Sequence, residues 1–479
     1  MAGLRDKKIT IVGLARSGIG AANLLAGLSA RVTVTDLKKD SDLRNVVDRL
    51  HPAVSCVLGN HPEEIFTTAD LIVVSPGVPS DIPPLVKARE KGVPLIGELE
   101  LAYQIICDHA PASGSRAQFL AVTGTNGKST TTALLDFMMK KSGYRTTLGG
   151  NIGNALTEEI HKAFDGAPAA DKSGLMFDFI VAEVSSFQLE TINEFRPRGA
   201  VITNITPDHL DRYHSLQEYM DAKARIFENQ KGGDFLVLNR DDPGTMKAAS
   251  GKLEVKSEKP GVVYFSRKQE VDGIYAYDGT VFCKFSKPEL STLDSELIRS
   301  DQIKIKGVHN LENAMAASAV ALLAGCPVEA VRNALREFPG LEHRLEFVRE
   351  IEGVRYFNDS KGTNVAAVIK SLESFREPIV LIAGGRDKAG EFSLLRDLVK
   401  QRVKALVLIG EAAGKIGKAL GDLTDTVRAK DLREAVHECR KLAQCGDAVL
   451  LSPACASFDM FDNFEDRGRQ FKKIVLEMQ

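Results

Sequence analysis

The sequence predicts an α/β protein of three domains, each wound around a largely parallel sheet. Three observations carry this. Short continuous apolar runs recur along the chain and end in Gly, Ser or an acid, as buried parallel strands do. Helix-compatible segments separate them, which is the alternation of a wound sheet. Two stretches of linker composition, at residues 111–116 and 338–340, divide the 479 residues into lengths typical of domains. The expected domains are residues 1–112, 113–340 and 341–479.

In the first domain, the pattern ITIVG after Lys8 reads as a strand closed by Gly13. A loop follows through Gly18, then a helix from about Ile19 with Ala21, Ala22, Leu24 and Leu25 on its apolar face. Residues 31–35 form a second strand, ended by Asp36. A βαβ opening closed by an acid suggests a dinucleotide site. The glycine spacing is G-x-x-x-x-G-x-G, however, and such a loop serves equally well to turn the chain. Residues 71–79, which carry Ser75 and Gly77, and 93–97 add two short buried strands.

The second domain opens on the most informative stretch, FLAVTGTNGKSTTT at residues 119–132. An apolar strand, a glycine turn and a helix follow one another in that order. Phosphate-binding loops need this arrangement. Glycines let backbone N–H groups approach the anion, a helix N-terminus faces it, Lys128 adds positive charge and Ser129 can ligate Mg²⁺. Val122 stands where the standard loop has its first glycine, so this is a shortened G-x-x-G-K-S form. Strands at residues 179–182, 200–205 and 235–239 follow, then a change of texture between 261 and 306 with a hairpin turn at Asp278-Gly279. An Ala-rich helix runs from Asn310 to near Gly325. Apolar runs at 379–385, 405–410 and 448–452 make the third domain another wound sheet.

Composition narrows the function. Lys+Arg 62 against Asp+Glu 64 gives a net charge of -2, so no global basic field invites nucleic acid or anionic membrane. An anion must be bound locally. Seven Cys, an odd count without C-x-x-C spacing, argue against a disulfide framework. No apolar run approaches a membrane span, and the N-terminus MAGLRDKKITIVGLA is too charged for a signal peptide. A cytoplasmic protein is expected.

Glu183 closes the strand at 179–182 and Asp208-His209 follows the strand ending near Ile205. The carboxyl ends of parallel strands gather at one crevice, so an acid, an imidazole and the phosphate loop can converge there. Metal binding is one reading of Glu183 and His209; a helix cap and a satisfied core histidine are the other.

The strings TGTNGKST at 123–130, GGNIG at 149–153, EVSSFQL at 183–189 and NITPDHLD at 204–211 together resemble the Mur ligase family of ATP-dependent amide-forming enzymes of the bacterial cell wall. NDSKGTN at 358–364, GGRDK at 384–388, SPACASFD at 452–459 and the run FEDRG at 464–468 are most similar to the member that adds D-glutamate. The resemblance covers nearly the whole chain. It implies a Rossmann-like UDP-binding first domain, a central P-loop-type ATPase domain and a Rossmann-like third domain for the amino acid. It implies UDP-N-acetylmuramoyl-L-alanine, D-glutamate and ATP as substrates, two Mg²⁺ ions, and a monomer.

By the same resemblance, Gly124, Thr125, Asn126, Gly127, Lys128, Ser129 and Thr130 hold ATP phosphate, Asn310 and Asn313 lie on the adenine side, and Arg344, Asp359 and Lys361 on the nucleotide side from the third domain. Ser129, Glu183, His209 and a carbamylated Lys223 are implied Mg²⁺ ligands. Lys128, Glu183, His209 and Lys223 are the implied catalytic set. Asn151 and His209 meet the substrate near the reacting carboxylate. Ser17, Asp36, Ser75 and Gly77 meet its UDP end, with Arg16 beside them, while Thr363, Lys388, Ser457 and Phe464 hold D-glutamate. From helical position alone Lys223 reads as a solvated lysine; carbamylation would require a desolvated, deprotonated amine. Three other readings remain: a folylpolyglutamate-type ligase, an ATP-hydrolysing switch protein, and an NAD-dependent oxidoreductase built on the first βαβ unit.

Overall fold

Residues 8–97 form the first sheet, from β1 (Lys8–Val12), β2 (Arg31–Asp36), β3 (Ser55–Leu58), β4 (Leu71–Val74) and β5 (Leu95–Gly97) in the order β3-β2-β1-β4-β5. All neighbours are parallel. Alternate residues pack on opposite faces: Ile9, Ile11 and Val73 on one, Val12, Ile72 and Val74 on the other. This is why the strands read as unbroken apolar runs. The structure is a computed structural model that describes residues 3–109, 116–165, 177–209, 212–286, 294–387 and 390–478. Residues 111–115 of the expected linker at 111–116, and the expected ligand Lys388, lie outside the described residues.

The second sheet contains β6 (Gln118–Thr123), β7 (Thr146–Gly150), β8 (Phe179–Glu183), β9 (Gly199–Ile202), β10 (Phe235–Asn239), β11 (Gly261–Ser266), β12 (Gly273–Tyr277), β13 (Thr280–Lys284) and β14 (Asp294–Arg299). Their order is β14-β13-β12-β11-β10-β9-β6-β8-β7. From β6 the chain goes to β7 and β8 on one side and to β9 and β10 on the other. The end of β6 is therefore a topological switch point, where wound sheets open a crevice for ligands. The turn joining β12 and β13 has φ 44° at Asp278 and φ 71° at Gly279, as a two-residue hairpin requires.

The third sheet, β15 (Glu346–Ile351), β16 (Val354–Asn358), β17 (Ile379–Gly384), β18 (Val403–Ile409), β19 (Asp425–Arg428) and β20 (Ala448–Leu451), runs β15-β16-β20-β17-β18-β19. Only β15 is antiparallel to its neighbour. Apolar layers cover both faces, Leu381, Leu406 and Leu450 on one and Val380, Val407 and Val449 on the other. The wound α/β class expected from the sequence is what the three sheets show. The chain divides into two compact units, Met1–Lys304 with His309–Phe338, and Ile305–Val308 with Pro339–Gln479.

Two local expectations are corrected. The first helix spans Arg16–Gly27, so Arg16 and Ser17 lie in its first turn and not in a loop. Gly18 permits this, because a Cβ there would come within 2.1 Å of Gly13 O. The strand expected at 200–205 stops at Ile202, and Thr203 and Asn204 turn their side chains to the phosphate loop. The edge strands β3, β7, β15 and β19 were not marked by apolar runs, since only one face or neither of each is fully covered.

Candidate active site

The phosphate loop joins β6 to the helix Lys128–Lys141. Two of its glycines are required by the backbone. Gly124 has φ 145° and Gly127, the residue before the helix, φ 83°; a Cβ on the first would lie 2.0 Å from Thr203 Oγ1, and on the second 2.2 Å from Asn313 Oδ1. The loop is braced from the segment after β9. Thr125 N donates to Asn204 O at 2.8 Å, Asn126 N to Asn204 Oδ1 at 2.9 Å, and Thr203 Oγ1 to Asn126 O at 2.7 Å. Thr125 Oγ1 donates to Thr206 O at 3.2 Å and lies 3.2 Å from the Tyr219 hydroxyl. Asn313 accepts from Thr131 Oγ1 and donates to Asn310 Oδ1, each at 3.3 Å. Both asparagines thus stand beside the helix that follows the loop.

Lys128 and Lys223 meet at the loop carbonyls. Lys128 Nζ donates to Gly124 O at 3.0 Å and Thr125 O at 2.9 Å, and Lys223 Nζ donates to Gly124 O at 2.8 Å. Lys223 belongs to the helix Leu216–Ala224, is 2% exposed, and its amine lies 4.6 Å from the centre of the Tyr219 ring. Burial first, and the charge of Lys128 second, push its pKa down to about 6, against the pull of Asp208 and Glu183. It is not the solvated lysine that helical position suggests.

Glu183 ends β8, 1% exposed, in register with Val122 of β6. Asn151 Nδ2 donates to Glu183 Oε1 at 2.6 Å, and Asn151 N to Glu183 O at 2.9 Å. The other oxygen, Oε2, is buried with no hydrogen-bond partner among the described residues. Such an oxygen suits a cation, because a buried acceptor left unpaired is costly. Ser129 lies in the first turn of the helix after the loop. His209 is exposed, has φ 54°, rests its ring on Phe187 at 5.0 Å between centres, and lies 3.7 Å from an Asp208 oxygen. Among the described residues no group of three or more His, Cys, Asp and Glu side chains is placed to hold a metal.

At the first sheet, Asp36 accepts from Leu14 N at 2.7 Å and Lys38 N at 2.9 Å, and the buried Ser75 donates to Gly13 O at 2.8 Å. Both brace the glycine turn before the first helix. Gly77 is exposed just beyond Ser75, and the Arg16 guanidinium donates to Gly153 O.

In the second unit, Asp359 is buried and accepts from Ser371 Oγ at 2.6 Å and Ser452 Oγ at 2.7 Å; burial raises its pKa to about 6 despite these bonds and Arg344. Lys361 Nζ lies 4.1 Å from the centre of the Phe464 ring, a cation–π contact. Thr363 N donates to Lys361 O at 2.8 Å, and Ser457 is buried in the loop after β20. The structure therefore gathers Thr363, Ser457 and Phe464 on neighbouring segments. Thr203 and Tyr219 have no mark in the sequence that singles them out as site residues, and Arg467, although it falls in the FEDRG run, has no role assigned there.

Comparison with known proteins turns this geometry into a family assignment. A UDP-N-acetylmuramoylalanine–D-glutamate ligase of Geotalea uraniireducens (strain Rf4) is 47% identical over 474 residues, 98% of either chain. The chain belongs to the Mur ligase family. One from Pelotomaculum thermopropionicum (strain DSM 13744 / JCM 10971 / SI) is 44% identical over 99% of this Mur ligase and 98% of its own length. Family models match along its length: a Mur ligase MurD-like N-terminal domain at residues 7–97, a Mur ligase middle domain at 122–321 and a Mur ligase glutamate ligase domain at 343–455. Solved structures share its fold. UDP-N-acetylmuramate-alanine ligase MurC of Thermotoga maritima superposes with TM-score 0.57 at 20% identity, over 99% of this chain and 100% of that one. MurF of Acinetobacter baumannii gives 0.60 at 16%, over 98% and 94%.

Proposed function

We propose that this Mur ligase joins D-glutamate to UDP-N-acetylmuramoyl-L-alanine, with cleavage of ATP to ADP and phosphate, in cytoplasmic peptidoglycan precursor synthesis. The choice of D-glutamate follows the near-full-length relatives. The observation that carries the chemistry is Lys223, a buried amine of lowered proton affinity on the carbonyl of a phosphate loop. A surface lysine on a helix has no reason to be there.

The substrate carboxylate attacks the γ-phosphorus of ATP, the bond to the β-phosphate oxygen breaks, and an acyl phosphate and ADP result. The amine of D-glutamate then attacks the acyl carbon, loses a proton, and phosphate departs with the acyl C–O electron pair. Carboxylate is a poor acylating agent, so phosphorylation supplies the leaving group. Bringing a carboxylate to a triphosphate unites like charges, and Lys128 with the N–H groups of residues 124–130 offsets them. Ser129, Glu183, His209 and a carbamate on Lys223 are the groups that would hold Mg²⁺, two ions in all. Bound Mg²⁺ would neutralise charge on the phosphate oxygens.

The neutral amine of Lys223 is the form that adds CO₂, and carbamylation would convert a buried base into a further oxygen ligand beside Glu183 and Ser129. Asn151 orients Glu183 and stands where the reacting carboxylate arrives. Ser17, Asp36, Ser75 and Gly77 take the UDP end. Arg344, Asp359 and Lys361 serve the nucleotide, and Thr363, Lys388, Ser457 and Phe464 the amino acid. Residues 1–112, 113–340 and 341–479 act as three modules, one for each substrate, in a monomer. Among the described residues no helix is long and apolar enough to cross a membrane.

An amino-acid panel in a phosphate-release assay with UDP-N-acetylmuramoyl-L-alanine tests the substrate. Release with D-glutamate far above that with L-glutamate, L-alanine or L-lysine is expected; equal rates would overturn the assignment. Lys223→Ala is expected to abolish turnover, with partial rescue by a small carboxylate. Unaltered turnover in that variant would sink the carbamate.

A further inference from the structure

We infer that Arg467 is a positioning residue of the amino-acid site, holding the turn at residues 360–363 and the loop at 453–457 at the spacing a dicarboxylic amino acid requires. The inference rests on the assignment of Thr363, Ser457 and Phe464 to that amino acid.

Arg467 lies in the helix Phe464–Glu477 and is fully buried, at 0% exposure. Its guanidinium reaches both segments. Nε donates to Ser360 Oγ and Nη2 to Ser360 O, each at 2.9 Å; Nη1 and Nη2 both donate to Cys455 O at 3.3 Å, and Nη1 reaches Ala456 O at 3.5 Å. Ser360 Oγ passes the link on to Phe464 O at 2.8 Å. One side chain thus ties together the three segments that carry Thr363, Ser457 and Phe464.

The two segments are also joined directly, since Ala454 N donates to Gly362 O at 2.8 Å. Ala454 has φ 59°, a left-handed conformation unfavourable for a residue with a Cβ. A strained loop keeps its shape only if its surroundings hold it, and the Arg467 bonds to the next two carbonyls do so.

Among the described residues, every hydrogen-bond acceptor of Arg467 is a hydroxyl or carbonyl oxygen. A buried guanidinium with no carboxylate bonded to it is costly, and packing alone would be better served by a neutral side chain. Burial lowers its pKa to about 10, with Asp459 opposing, so the charge persists at neutral pH. A carboxylate of a dicarboxylic amino acid on the loop that Arg467 supports would balance that charge. Lysine cannot reproduce the role, because a single ammonium does not present the planar fork that meets Ser360 and Cys455 together.

The test uses the full chain with Arg467→Lys and Ser360→Ala, measuring KM for the amino acid, ATP and the UDP substrate, beside thermal melts. Arg467→Lys is expected to raise the amino-acid KM by about tenfold or more, with the other two within about twofold. Ser360→Ala should shift the amino-acid KM in the same direction by less, and it decides the question if Arg467→Lys fails to fold. An equal rise in all three KM values, or a fall in kcat alone, would overturn the inference and leave a purely structural arginine. If wild type prefers another amino acid, the D-glutamate assignment fails and the same comparison is made with that amino acid. D-glutamate-dependent turnover with an unchanged KM in both variants would remove the Arg467 inference alone.

Discussion

Lys128 and Lys223, far apart in sequence, donate to one backbone oxygen, Gly124 O, at 3.0 Å and 2.8 Å. Two ammonium groups on one carbonyl repel, and the buried partner yields. Lys223 is that partner, with its pKa lowered to about 6 by burial and then by Lys128. Lys128→Met should therefore raise the Lys223 pKa toward its ordinary value while leaving burial in place. Heteronuclear NMR of ε-labelled lysine during a pH titration checks this. A Lys223 midpoint indifferent to Lys128 would contradict the coupling.

Stability should carry the same signature. Unmodified Lys223 in the folded state takes its proton only below about pH 6, whereas the unfolded chain holds it up to the ordinary lysine value of about 10.5. Between these limits the unfolded chain binds the extra proton, so Lys223 opposes folding and stability rises with pH across the window. Lys223→Met is expected to flatten that rise in urea unfolding of CO₂-depleted protein. An identical slope in wild type and variant would argue against a buried neutral amine.

Asn151 fixes one oxygen of Glu183 and leaves the other without a partner among the described residues. Removing its amide in Asn151→Ala frees the carboxylate to rotate. The Mg²⁺ concentration for half-maximal turnover should rise by about tenfold or more, in line with the loss of an orienting hydrogen bond. Metal titration of ATP turnover measures it, and an unchanged midpoint would separate Glu183 from the metal.

Gly127→Ala places a Cβ 2.2 Å from Asn313 Oδ1 at a backbone φ of 83°. The strain alone costs about 1–3 kcal/mol. A lower melting temperature and weakened ATP binding are expected, read by calorimetry and nucleotide titration. Wild-type behaviour in both would mean that the loop relaxes without its glycine.

The strand, glycine turn and helix of the phosphate loop were legible because every requirement falls within residues 119–132, and the parallel strands were legible because both their faces are covered. The edge strands β3 and β7 were not, since solvent on one face removes the apolar run. The contacts of Thr203, Tyr219 and Arg467 stayed silent for another reason: their partners lie 77, 94 and 107 residues away. No local pattern encodes a contact of that separation.

By itself the sequence determined the wound α/β class, the phosphate loop and the likeness to amide-forming ligases, because backbone requirements and motif spacings are properties of consecutive residues. Only the tertiary structure decided that Lys223 is a buried amine and not a solvated one, that Glu183 keeps an unpaired oxygen, and that Arg467 ties three segments together. Proton affinity and hydrogen-bond satisfaction depend on which groups come within a few ångströms and how much water is excluded, and packing sets both.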